Sequence, residues 1–134
     1  MSPRLPIASP PVRYGLAICC ALALLLASIL EPGEGTPRTL FGIGITVYLH
    51  LLAYAALTAT IGYGTLSTDR RTLFVAVALA TLYGAVIELI QGQLPYRTMA
   101  ASDVLLNATG AVIGSELWRV LAPRLGIDGD RSSA

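Results

Sequence analysis

Residues 73–94 read LFVAVALATLYGAVIELIQGQL: twenty-two residues, apolar almost throughout, with Glu88 as the single charged side chain. A stretch of about 20 apolar residues matches the hydrocarbon thickness of a bilayer when helical. A charge at mid-membrane costs about 2.5 to 3.5 kcal/mol on insertion scales, whereas each Leu or Ile returns only about 0.5. The run is therefore a membrane-spanning helix that keeps a carboxylate for a reason.

Working outward, three further apolar runs appear: 14–30, 41–66 and 101–121. The first follows a segment with four prolines and two arginines and ends at Glu31-Pro32-Gly33. The segment just before Glu31-Pro32-Gly33 lacks a convincing Ala-x-Ala site, which favours an uncleaved span over a signal peptide. Cys19 and Cys20 are neighbours in it, about 100° apart on a helix, and cannot readily bridge each other. The rest of the chain agrees with a membrane class. Of its 134 residues 54% are apolar and 13% charged, with a mean hydropathy of +0.68, against about 25% charged in soluble domains. One all-α domain, a four-helix transmembrane bundle over 14–121, is expected. Short cytoplasmic segments at 1–13 and 122–134 flank it.

The nine basic residues are all arginines. Arg4, Arg13, Arg70, Arg71, Arg119, Arg124 and Arg131 fall on one side of the four expected spans, Arg38 and Arg97 on the other. Positive residues stay inside, so the sequence predicts a multi-pass protein of the cell membrane with both termini cytoplasmic. The net charge of +1 offers no surface for a nucleic acid.

The interrupting polar residues follow helical spacing. His50 and Tyr54 are four apart, Glu88 and Gln91 three apart, with Gly84 one turn before Glu88. Asp103, Asn107, Gly110 and Gly114 step by four, three and four and line one face. Gly110 to Gly114 is a GxxxG pattern suited to close helix packing. With the orientation above, the polar parts of the last three spans meet near the outer face. Glu88 and Asn107 lie roughly 10 Å below it at about 1.5 Å per residue.

The ordered set His50-x3-Tyr54, Glu88-x2-Gln91, Pro95-x-Arg97 and Asp103-x3-Asn107-x2-Gly110-x3-Gly114 resembles the VanZ-like family across about residues 45–115. That family is named for an accessory protein of a glycopeptide-resistance cluster associated with low-level teicoplanin resistance. The resemblance implies an envelope membrane protein with a defined polar site, and it names no reaction.

The residues themselves leave alternatives open. Glu88 is either an interhelical hydrogen-bonding or ion-pairing group, with His50 or Arg97 as partner, or a carboxylate that exchanges a proton or holds a cationic group. Arg97 either pairs with Asp103 at the mouth of the bundle or holds a phosphate, whose geometry a guanidinium fork matches. Gln91 and Asn107 read as helix-bridging amides, Gly84, Gly110 and Gly114 as packing positions. Tyr54 is either a hydroxyl donor to Glu88 or an interfacial aromatic. His50 beside Glu88 and Asp103 forms a mixed ligand set without a His-x3-His spacing, so no metal is expected. No cofactor motif, phosphate loop or activated nucleophile is present, and no cofactor is expected. Two function classes follow. One is a non-enzymatic binding or accessory protein, its partner the bilayer with an envelope lipid or lipid-linked precursor. The other is a membrane enzyme acting on a phospholipid or lipid-linked head group. The composition permits a homo-oligomer.

Overall fold

A computed structural model of the chain describes residues 6–31 and 38–127. The arginines at 4 and 131, most of the loop at 31–40 and nearly all of the tail at 122–134 that lies beyond the last helix fall outside the described residues. Four helices dominate: α1 (Pro10–Ile29), α2 (Ile45–Thr65), α3 (Arg70–Gln91) and α4 (Ala101–Arg124). Two short strands, β1 (Thr39–Leu40) and β2 (Ile43–Gly44), pair antiparallel ahead of α2. The expected all-α, four-helix bundle is the fold.

The boundaries depart from the apolar runs for local reasons. Helix α1 starts at Pro10, four residues before its apolar run, because a fixed φ and a missing N–H suit proline to a first helical turn. Helix α2 starts four residues after its expected beginning at Phe41. Phe41 and Gly42 take φ of 52° and 77° and form a two-residue hairpin turn, and positive φ at both central residues matches the twist of paired strands. Helix α3 begins early, at Arg70, because the Asp69 carboxylate accepts from the Thr72 backbone amide at 3.0 Å as N-cap. It stops at Gln91, and the expected helical residues 92–94 instead form a run of tight turns. Helix α4 runs three residues past its apolar stretch. Gly126, at φ 70°, closes it as Ile127 N bonds Ala122 O and Gly126 N bonds Pro123 O, the paired bonds of a Schellman ending.

Helix α2 is the hub, in contact with α1, α3 and most extensively α4. The α2–α4 seam is close enough to need glycine. A Cβ at Gly110 would stand 2.5 Å from Leu51 O, and one at Gly114 would collide with Ala55 O. Both pairs advance by four residues in the same sense, so α2 and α4 run parallel. The GxxxG expectation thereby acquires its partner, the 51–55 turn of α2. Farther along the seam, Gly62 lies under the Trp118 ring. Tyr54, Leu57, Ala80 and Ala111 form the buried core.

Three of these helices, α1, α2 and α3, are long and apolar enough to cross a membrane. Helix α4 is as long but carries Asp103, Glu116, Arg119 and Arg124, which separates it from the other three by composition. It turns Leu105, Val112, Ile113, Leu117, Val120 and Leu121 outward and buries Asn107, Gly110, Gly114 and Ser115. An apolar exterior over a small and polar interior is the reverse of a helix on a water-soluble domain.

Candidate functional site

One end of the bundle gathers the C-termini of α1 and α3 and the N-termini of α2 and α4, and six of the seven sequence candidates lie there; the seventh, Tyr54, sits one turn deeper. His50, in the first turns of α2, presents its two ring nitrogens to α4. Nδ1 lies 2.6 Å from Asn107 Oδ1, and Nε2 lies 3.8 Å from Asp103 Oδ2. Since an amide oxygen only accepts, Nδ1 carries the proton of that bond, and Nε2 faces the carboxylates. The Tyr54 ring is parallel to the imidazole, 6.5 Å away at 6°. Tyr54 is a core residue lying against Gly84, which removes its reading as an interfacial aromatic.

Glu88 completes the group from α3. It is 2% exposed, and Asn107 is 0% exposed. Glu88 Oε2 accepts from Ala100 N at 3.4 Å, taking up a backbone amide at the start of α4. Such amides have no partner within their own helix. Oε1 is buried with no hydrogen-bond partner. His50, Glu88 and Asp103 each offer a ligand atom, all within 4.8 Å of one another. The positive end of the α4 dipole is the nearest compensation for the two carboxylates. Gly84 makes the close approach feasible, because a Cβ there would lie 2.6 Å from Asn107 Nδ2 and 2.9 Å from the Tyr54 ring.

Arg97 and Gln91 belong to a second group. Arg97 Nη2 donates to Leu30 O at 2.7 Å and Ala27 O at 3.4 Å, Gln91 Nε2 donates to Ser28 O at 3.0 Å, and Tyr96 Oη to Ile29 O at 2.8 Å. The last turn of α1 has carbonyls without intrahelical partners, and these three side chains supply the donors. The Arg97–Asp103 pair, one of the two readings of Arg97, is not formed, because the guanidinium turns toward α1 and Asp103 toward His50. An Arg97–Glu88 pair is likewise not made. Among the described residues the ion pair between fixed charges is Glu116–Arg119, and His50–Asp103 becomes one only where the imidazole is protonated. Gln91 and Asn107 do bridge helices, to α1 and α2 respectively. Sequence reasoning missed Tyr96, although its place between Pro95 and Arg97 at the end of an apolar run marks it as a capping position.

These features define a class: a small helical membrane protein whose bundle holds a buried histidine–carboxylate–amide cluster at one end. Within that class the assignment is specific, since the VanZ/LLP1 family model matches residues 17–122 and the chain belongs to that family. No curated protein and no solved structure matches it. The match begins inside α1 and so includes the span for which the sequence offered no motif. Its contribution is visible in the carbonyls it presents to Gln91, Tyr96 and Arg97.

Proposed function

We propose that the chain is a non-enzymatic binding or accessory protein of the cell envelope. It crosses the membrane four times with both termini cytoplasmic and presents the His50–Glu88–Asp103–Asn107 cluster near the outer face. The occupant is a cationic or hydrogen-bond-donating group carried by an envelope lipid or lipid-linked precursor. The observation that carries this reading is the buried Glu88 oxygen without a partner, next to a second carboxylate and a ring nitrogen that faces both. A buried carboxyl oxygen left unsatisfied is costly, and a donor brought by a ligand relieves that cost. The apolar outer face of α4 supports its crossing. Among the described arginines, Arg13, Arg70, Arg71, Arg119 and Arg124 against Arg38 and Arg97 support the orientation. With Arg97 engaged on α1, the phosphate-holding residue of the enzyme reading has another task, which favours binding over head-group chemistry.

The test is native mass spectrometry of gently extracted protein, comparing wild type with Glu88→Gln and Asp103→Asn at matched abundance. A co-purifying species that both variants lose supports the reading. If both variants keep it, or if turnover of labelled polyprenyl-phosphate or phospholipid is found and lost in Glu88→Gln, the reading fails.

A further inference from the structure

We propose that His50, Glu88 and Asp103 form a binding site for a divalent transition-metal ion of the zinc type, with Asn107 as the residue that orients the histidine. The inference deepens the reading above and rests on its assignment of this cluster as a binding site. Four observations on different atoms carry it. The three ligand atoms lie within 4.8 Å of one another. Metal–donor distances of about 2.0 to 2.2 Å are then reached by side-chain movements on the order of 1 Å. The Nε2–Oδ2 separation of 3.8 Å exceeds hydrogen-bonding reach, so no shared proton closes the gap between His50 and Asp103. Glu88, 2% exposed, has one carboxylate oxygen buried and unpartnered. And His50 Nδ1 is held by Asn107 Oδ1 at 2.6 Å. Metal-ligating histidines characteristically donate their other ring N–H to such an oxygen, which fixes the tautomer and turns the free nitrogen to the ion.

Charge and donor chemistry select the ion. Deprotonated, the buried Glu88 and the more open Asp103 bring two negative charges, and a divalent cation neutralises both. Calcium takes six to eight oxygens and magnesium prefers to keep its waters, whereas one imidazole with two carboxylates suits a first-row transition ion. Three protein donors leave a coordination position open. Of the three residues His50 and Asp103 are the more open, their side chains 18% and 27% exposed, so the site is accessible from the mouth. No metal was expected because the ligand set is mixed and no His-x3-His spacing lies within one helix, and the missing spacing is the weaker of the two grounds. It loses its force once three different helices each supply one donor.

The experiment uses the full chain in detergent micelles, stripped with EDTA and titrated with Zn2+ by calorimetry, with bound metal measured after gel filtration. The expected result is one Zn2+ per chain, a raised melting temperature, and no comparable binding of Ca2+. His50→Gln and Asp103→Asn lose the bound metal while keeping helical content, and Asn107→Ala weakens Zn2+ binding about 10- to 100-fold. Should Glu88→Gln fail to fold, Asp103→Asn at the more open end carries the same test. Zn2+ bound equally by the variants, or not bound by the wild type, overturns the metal site. In that second case a lipid that still co-purifies in a Glu88-dependent manner leaves the binding reading standing. Stoichiometric Zn2+ without any co-purifying lipid has the opposite consequence, keeping the metal and removing the organic ligand.

Discussion

Replacing Gly110 by alanine tests the link between packing and site most directly. The new Cβ would lie 2.5 Å from Leu51 O and 2.9 Å from Leu51 Cα. Ordinary contacts begin near 3.4 Å, and both neighbours are backbone, so no rotamer change relieves the overlap. Helices α2 and α4 must separate by roughly 1 Å, and overpacking of this kind costs about 1 to 3 kcal/mol. The displacement falls where it matters. Asn107 is one turn before Gly110 and His50 directly precedes Leu51, so a separation of that size stretches the 2.6 Å His50–Asn107 bond beyond hydrogen-bonding range. Gly110→Ala is therefore expected to lower the denaturant midpoint in mixed micelles and to weaken occupation of the site as well. Gly15→Ala in α1 is the control. A Cβ there meets nothing within 4 Å, and exchanging glycine for alanine at a compatible helical position stabilises by about 0.4 to 1 kcal/mol. If the two variants shift stability in the same direction and by similar amounts, the α2–α4 seam is not packed as described and the reasoning fails.

Three further outcomes are expected. Arg97→Ala removes the donor to Leu30 O and Ala27 O and should loosen the end of α1, at a cost of about 1.5 to 3 kcal/mol for charged hydrogen bonds. Thermal unfolding and proteolysis near residue 30 read this, and unchanged stability with lost ligand binding would return Arg97 to a phosphate-holding role. With Cys19 and Cys20 replaced by alanine, a cysteine at position 93, exposed in the turn after α3, should react with an impermeant reagent in whole cells, and protection there would contradict the orientation. The Asp69 carboxyl is held below its ordinary value, chiefly by the Thr72 backbone amide. A lowered folded-state value means its contribution is present above the unfolded carboxylate value of about 3.9 and is lost as pH falls through the folded value. The melting-temperature gap between wild type and Asp69→Ala should accordingly be open at neutral pH and close in acid, and a gap independent of pH would exclude the cap.

Helical spacing made most of the cluster legible. Asp103 and Asn107 sit four apart on one face of α4, and His50 faces them from a parallel helix, so their meeting follows from periodicity once GxxxG sets the seam. The hairpin was not legible, because Phe41 occupies a left-handed position that bulky side chains rarely take, and an apolar run conceals the turn. The α1 partners of Arg97 were not legible for a different reason. Its partners are main-chain carbonyls of α1, and a helix end advertises its unsatisfied carbonyls through position alone, with no side chain to mark them. Asp103, six residues away and oppositely charged, looked the better partner. Among the described residues neither carboxylate consequently has a guanidinium bonded to it. Arg97 donates to the α1 carbonyls and pairs directly with neither carboxylate, Glu88 accepts among the described residues only from the Ala100 amide, and Glu88 Oε1 is left over. That unpartnered carboxyl oxygen, enclosed by apolar helices, is the physical reason for proposing a cation at this end of the bundle rather than a phosphate.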